Sequence, residues 1–322
     1  MRPSLTAAIC TRDRPHLLQR ALASLAAQRE SPAEILVVDN APADSHVRAL
    51  VAQSFPSVRY LAEPAPGLDF SRNRALRAAR GEVVAFLDDD AVADPGWSAA
   101  LRAAFEEPRV GAVTGRVEAL ALETEAQRLF EANGGFGRGG KRVRLPADAG
   151  RPLHGRRAPL IAWAVSVGSG CSLAVRRELA LRLGGFDEAL DLGEALPGGG
   201  DHDVLWRVLE AGYHVVYEPT ALARHEHRRD AAGMGAQLSG HQRALVALMV
   251  KILTRSRGRR RAPVAAFLAW RLVKPGHRLA RRLLGKDPLP APLLLRMWRD
   301  CMRGLWAYPL ARREAARRRR LA

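Results

Sequence analysis

Through its first ninety residues the chain alternates short apolar runs with amphipathic ones. LTAAIC (5–10), EILVVDN (34–40), SVRYLAE (57–63) and VVAFLDDD (83–90) have the length and content of strands. PHLLQRALASLAAQ (15–28) reads as a helix with Pro15 in its first turn, and SRNRALRAAR (71–80) as a helix closed by Gly81. Strands separated by helices of this length predict an α/β fold, a mostly parallel sheet with helices on both faces. The runs are continuously apolar, as strands covered on both faces should be. Ligands of such sheets lie beyond the carboxyl ends of the strands, where Thr11, Asp39 and Asp88 fall.

The middle of the chain is less regular. GGFGRGGKRVRLPADAGRP (134–152) is rich in Gly and Arg and reads as a loop or lid. VGSGCSLAVRRELALRLGGFDEAL (167–190) holds a helix, RRELALRL, ended by Gly184 and Gly185. PGGGDHDVLWRVLEAGYHVVYEP (197–219) reads as a glycine turn, a helix and a strand. Trp97 and Trp206 fall where a helix packs on the sheet and are expected in the core. Further on, RALVALMVKILT (243–254) and PVAAFLAWRLV (263–273) are apolar but shorter than the ~20 residues a bilayer span needs. In LLLRMWRDCMRGLW (293–306) a helical period places Leu294, Met297, Trp298, Cys301, Met302 and Leu305 on one face, opposite Arg296, Arg299, Asp300 and Arg303.

Charge divides the chain in two. The formal net charge is +18, yet from Gly233 onward there are 22 Lys and Arg against 3 Asp and Glu, and the part before it is near neutral. Residues 1–230 are therefore expected to form one domain, the α/β body, and 231–322 a basic, amphipathic helical extension that meets an anionic partner. The three cysteines are too few and too scattered for a disulfide framework or a zinc pattern, which fits a reducing compartment. The apolar stretch near the N-terminus, Leu5 to Cys10, is too short for a secretory leader.

Three adjacent carboxylates, Asp88, Asp89 and Asp90, follow five apolar residues. Their mutual repulsion calls for a cation, and the alternating pair Asp88 and Asp90 suits a hard divalent ion such as Mg²⁺ or Mn²⁺. The turn after the first strand reads CTRDRP, which excludes the glycine fingerprint of a dinucleotide-binding enzyme. No phosphate-binding loop with the G-x-x-x-x-G-K pattern is present. An aspartyl phosphatase would need its nucleophile at the end of the first strand, and only Asp13 is near.

CTRDRP, EILVVDNAPAD, GLDFSRNRAL, FLDDDAVADPGW, LGGFDEAL, GGGDHDVLWRVLEAG and YEPTALARHEHRRD occur in that order. This series resembles family-2 glycosyltransferases of the GT-A fold over about residues 4–230, with a weaker echo around 233–253. The resemblance implies inverting transfer of a sugar from a nucleoside-diphosphate donor to an acceptor hydroxyl. It implies donor contacts from Thr11, Arg12, Asp39, Arg72, Asn73, Asp88 and Asp89. Asp90 and His225 would be ligands of the divalent metal, Mn²⁺ or Mg²⁺. Asp201 would be the catalytic base with Asp203 as second choice. Where the family usually reads G-E-D-x-D, this chain has Gly200 in place of the Glu, which puts acceptor binding or the tuning of the base in question.

The acceptor is expected to be a saccharide or lipid-linked, in envelope or exopolysaccharide synthesis. Basic amphipathic helices with Trp suit an anionic membrane surface, which places the protein on the cytoplasmic face of the plasma membrane. Two competing readings are a nucleic-acid-binding role for the Arg-rich end, against which no nucleic-acid motif appears, and a sugar nucleotidyltransferase, whose Gly-rich first loop is missing.

Overall fold

The computed structural model describes residues 2–145 and 158–322. In chain order its elements are β1 (Leu5–Thr11), α1 (Pro15–Ala26), β2 (Glu34–Asn40), α2 (His46–Ser54), β3 (Arg59–Glu63), α3 (Leu68–Ala78), β4 (Val83–Leu87), β5 (Ala91–Ala93), α4 (Trp97–Ala104), β6 (Val110–Ala119), α5 (Glu125–Ala132), β7 (Val143–Leu145), α6 (Leu160–Val167), β8 (Ser172–Arg176), α7 (Arg177–Arg182), α8 (Gly200–Glu210), β9 (His214–His225), α9 (Ala231–Arg255), α10 (Arg261–Leu283) and α11 (Ala291–Leu321). The predicted strands and helices of the first half are all present. Helix α2 was not anticipated, although Val47, Leu50 and Val51 carry a helical spacing. The loop expected at 134–152 contains β7, and its residues 146–152 lie outside the described residues.

The sheet runs β3–β2–β1–β4–β8–β6–β9–β5, with β7 on β9. β3, β2, β1 and β4 are parallel, β8 is antiparallel to both neighbours, and β6 and β9 are parallel again. Alternate residues of each strand serve opposite layers. Leu5, Ala7 and Ile9 of β1 pack with Leu18, Leu22 and Leu25 of α1 and with Trp97 and Leu101 of α4. Ala8, Leu36 and Phe86 face the other way, toward Leu76 of α3, Leu179 of α7 and Leu205 and Val208 of α8. Each fully buried leucine contributes about 1.5–3 kcal/mol by leaving water. Trp97 is fully buried and donates Nε1–H to Ser172 Oγ at 2.9 Å, and Trp206 is buried too, so both are core residues as expected.

The last three helices lie against this body. Asp230 caps α9 by accepting from Gly233 N at 2.8 Å. Ala244, Leu248 and Ile252 of α9 and Ala307, Tyr308 and Ala311 of α11 belong to the same core cluster as the sheet. Helix α11 packs closely on α9, because a Cβ at Gly304 would stand 2.6 Å from the Arg243 carbonyl oxygen. That approach sets which face of α11 is buried. Of the apolar face read at 293–306, Leu294, Met297 and Cys301 are buried while Trp298 and Met302 are 39% and 41% exposed, and Asp300, from the opposite face, is covered. Small residues, Gly304, Ala307, Ala311 and Ala315, define the contact stripe, and a count of apolar positions does not register them. No helix among the described residues is long and apolar enough to cross a membrane.

Candidate active site

Asp88, Asp89 and Asp90 follow β4, and Ala91, the first residue of β5, pairs with His225 at the end of β9. The Asp90 carbonyl accepts from Glu226 N at 2.8 Å. This short ladder joins two motifs far apart in sequence. His225 Nε2 lies 3.1 Å from Asp90 Oδ1, and the ligand atoms of Asp88, Asp90 and His225 all fall within 4.8 Å of one another. Burial, then the Asp90 charge, pushes Asp88 up to about 7. Burial would also raise Asp90, but the hydrogen bond and charge of His225, followed by Arg14 and Arg228, hold it below its usual value. Two carboxylates and an imidazole facing one point, with one carboxylate held back from ionising, fit a divalent cation.

His225 is itself held. Its Nδ1 is 3.0 Å from His227 Nδ1, and His227 Nε2 is 2.7 Å from Glu131 Oε1 of α5. A carboxylate accepts from His227 Nε2–H, which leaves His227 Nδ1 as an acceptor for His225 Nδ1–H. His225 is thereby held through Nδ1 with its Nε2 turned to Asp90, and an ion bound there would displace the proton that Nε2 otherwise shares with Asp90, the arrangement by which outer groups orient a metal-binding imidazole. Phe136 stacks edge-on to His225 with centroids 5.1 Å apart. Glu131 carries no motif, and only the folding of α5 against β9 reveals it.

On the neighbouring turn Thr11 Oγ1 donates to Asp89 Oδ2 at 2.8 Å, and Arg14 Nη1 lies 3.3 Å from Asp89 and 3.6 Å from Asp90. Asp39, opposite Thr11 in the β1–β2 register, accepts from Tyr60 Oη at 2.9 Å. Its Oδ1 is buried with no hydrogen-bond partner, and burial raises its pKa. Arg72 reaches Asp69 at 3.0 Å and Asp191 at 3.6 Å. Asn73 instead ties α3 to the loop after α7. Its amide donates to Phe186 O and Glu188, and its Oδ1 accepts from Phe186 N at 2.7 Å.

Asp201 sits in the first turn of α8, after Gly199 in a left-handed conformation (φ 103°). His202 Nδ1 is 3.1 Å from its Oδ1. Burial would raise its pKa, but His202 and then Arg72 hold it well below the usual carboxylate range. Gly200 has a steric reason. A Cβ there would stand 1.9 Å from Asp69 Oδ2. A buried carboxylate of α3 therefore fills the space next to position 200. Asp203 points elsewhere: it is fully buried, with Lys251 Nζ at 2.5 Å and Arg207 Nε at 2.8 Å.

A cavity of about 810 Å³ gathers Thr11, Arg12, Arg72, Asp88, Asp89, Asp90, Asp201 and His225 on its walls. Asp39, Asn73 and Asp203 do not line it, although Thr11 and Asn40, which flank Asp39, do. Arg14, Asp191, His202 and Arg228 also line it, as do Arg271, Lys274 and Arg278 of α10. The α10 residues were read as part of an apolar segment and a basic tail. Their place in the cleft depends on how the last helices fold back.

The chain is similar to known proteins. The sequence profile "Glycosyl transferase family 2" matches residues 6–184. A pre-mycofactocin glycosyltransferase of Mycobacterium tuberculosis is 29% identical over 216 residues, 66% of this chain and 41% of the relative. The O-antigen biosynthesis protein RfbC of Myxococcus xanthus is 32% identical over 230 residues, 70% of this chain and 17% of that protein. The chain thus spans well under two thirds of either relative. The mannosyltransferase PcManGT from Pyrobaculum calidifontis, solved with GDP-Man and Mn²⁺, superposes with a TM-score of 0.59 at 21% identity, covering 97% of this chain and 87% of that one. That likeness shows the fold, the α/β fold of GT-A enzymes with a helical C-terminal region.

Proposed function

The chain belongs to glycosyltransferase family 2, and from that premise we propose that it moves a sugar, with inversion, from a metal-bound nucleoside-diphosphate sugar to an acceptor hydroxyl. The observation that carries this is one cavity with two chemically distinct walls. Asp88, Asp90 and His225 converge on one, and the ionised Asp201 stands beside Arg72.

In this reading Asp39 Oδ1, buried and unpaired, accepts an N–H of the donor base. Thr11, Arg12 and Asp89 shape the wall beside it, and Asp88 faces the ribose. Asn73 acts through the backbone that it holds. Asp90 and His225, with Asp88 beside them, would hold Mn²⁺ or Mg²⁺, which when bound supplies Lewis-acid neutralisation of the diphosphate. Arg14 and Arg228 add positive charge along the same wall. The acceptor oxygen bonds to the anomeric carbon and gives its proton to Asp201. The bond from that carbon to the diphosphate oxygen breaks, and its electron pair leaves with the nucleoside diphosphate. One displacement inverts the anomeric centre. Asp201 is a weak base, held ionised by His202 and Arg72, so it takes the proton late, once the attacking hydroxyl has acidified. We assign the base to Asp201 over Asp203, because Lys251 and Arg207 occupy the Asp203 oxygens.

A polysaccharide or envelope acceptor finds support in the O-antigen relative, and Mn²⁺ with a nucleotide sugar in the PcManGT complex. The membrane face is a second reading with its own observation. Leu295, Trp298, Met302, Trp306 and Leu310 are exposed at helical spacing along α11, among arginines. This row suits the headgroup region of an anionic membrane at the cytoplasmic side. Thermal denaturation against a panel of nucleoside diphosphates and nucleotide sugars, with and without Mn²⁺, tests the enzyme reading. One donor should raise Tm only with metal and lose that effect in Asp90→Ala. The product's anomeric configuration by NMR should be opposite to the donor's. No stabilisation by any nucleotide would overturn the donor site.

A further inference from the structure

Helix α10 places three cationic side chains, Arg271, Lys274 and Arg278, at i, i+3 and i+7 along the cavity that also holds Asp88, Asp201 and His225. These spacings share one helical face. Arg278 is neutralised, with Asp287 oxygens 2.7 Å from its Nε and its Nη2. Arg271 and Lys274 are not. Arg271 donates to Gln242, and its buried Nε has no partner. Lys274 Nζ lies 5.0 Å from the centroid of the Trp270 ring. Neither pairs with a carboxylate among the described residues. Burial, then the charges of Arg271 and Arg278, pushes Lys274 down to about 8. Two half-buried cations side by side without a counter-charge are costly unless an anion joins them.

The other side of the same helix turn is apolar. Trp270 is 43% exposed and Val273 66% exposed. They line a second cavity of about 620 Å³ that shares Lys274 and Arg278 with the first. The two cavities thus meet at Lys274 and Arg278, and beyond them Trp270 and Val273 give the second an apolar wall, rimmed by His277, Arg281, Lys286 and Asp287. The donor diphosphate has its own positive groups, Arg14 and Arg228, beside Asp90 on different elements.

Taking the glycosyltransferase reading as its premise, we propose that Arg271 and Lys274 bind a phosphate carried by the acceptor, and that Trp270 and Val273 receive an apolar chain attached to it. The acceptor class is then a lipid phosphate, whose phosphate anchors the molecule while its hydroxyl faces Asp201. The phosphate takes no part in bond making.

Decyl phosphate below its micellar concentration is a suitable probe, with inorganic phosphate and decanol as separate arms, titrated by calorimetry into the full chain. Decyl phosphate should bind at least tenfold tighter than either control. Lys274→Gln, at a half-exposed position, should weaken it about tenfold, and Arg271→Gln/Lys274→Gln further. Trp270→Ala should weaken decyl phosphate and leave inorganic phosphate unchanged. Binding of a nucleoside diphosphate with Mn²⁺ should be the same in all variants, with circular dichroism reporting an intact fold. Equal affinity for inorganic phosphate would reject the lipid chain, and equal affinity for decanol would reject the anion site. Undiminished decyl phosphate binding by the folded double variant would overturn the assignment. Loss of nucleotide binding in Lys274→Gln would assign these cations to the donor. Failure of the wild-type protein to bind any nucleotide would instead sink the enzyme reading, and the decyl phosphate titration is read independently of it.

Discussion

Gly200→Ala tests the packing beside Asp201, the proposed base, directly. Gly200 is the first residue of α8 and has ordinary helical backbone, so a methyl group there meets no conformational penalty. Without other contacts the change would stabilise the protein by about 0.4–1 kcal/mol through the unfolded state. The structure predicts the opposite sign. The new Cβ would lie 1.9 Å from Asp69 Oδ2, 2.6 Å from Asp69 Cγ and 2.7 Å from Asp191 Oδ2. Asp69 must retreat by more than ~1 Å to reach ordinary contact, yet it is fully buried and its Oδ1 is tied to Arg72 at 3.0 Å. Forcing a group into a filled interior costs about 1–3 kcal/mol, or roughly 2–8 °C in Tm for a chain of this order. Asp69→Ala removes the obstacle, at its own cost to Arg72. In the double variant the two losses should therefore not add, and the coupling should favour it by about 1–2 kcal/mol. Gly200→Glu, the family's usual residue, should be tolerated only with Asp69→Ala. Thermal and urea unfolding of the four proteins measure the cycle. A Gly200→Ala protein more stable than wild type, or additivity within about 0.5 kcal/mol, would refute the steric account.

Mn²⁺ affinity should rise with pH. A proton on Asp88 competes with the ion below about 7, so Kd should fall about tenfold per pH unit up to that point and level off above it, read by calorimetry. Without metal the sign reverses for stability. Asp88 has a raised folded pKa, so its contribution is present below the unfolded value of 3.8 and is lost as pH rises through about 7, seen as a Tm that declines over that window. His227→Ala should weaken Mn²⁺ binding about 10–100-fold by freeing the His225 tautomer, as seen in Mn²⁺ titration. Asp201→Asn should lower kcat by about 10²–10⁴-fold with nucleotide affinity unchanged in the same preparation. Lys251→Met leaves Asp187 and Asp203 without their shared buried cation, each 2.5 Å from Nζ, and should cost about 3–5 kcal/mol in urea unfolding.

Local chemistry made much of this protein legible from its sequence. Apolar runs of strand length ending in Thr11, Asp39 and Asp88 define the parallel half of the sheet and its ligand edge, because strand period and burial act over a few residues. The carboxylate run implied a cation by repulsion alone. The order of seven short motifs carried the family. Tertiary structure decided what depends on distant segments meeting. The β5–β9 ladder brings Asp90 to His225, and α5 supplies Glu131 to His227. Asp69 from α3 explains Gly200, which no local rule does. Lys251 of α9 takes Asp203 out of the cleft, although it sits two residues from Asp201 in the same motif. The apolar face of α11 was legible as a face, but only the close approach of α9 through Gly304 decides that Leu294, Met297 and Cys301 are covered while Trp298 and Met302 stay outside. Arg271 and Lys274 looked like members of a basic tail, and only the return of α10 over the cleft makes them part of it. Periodicity and charge are properties of neighbours along the chain, whereas the partner of a buried charge is set by packing between elements that the sequence does not place.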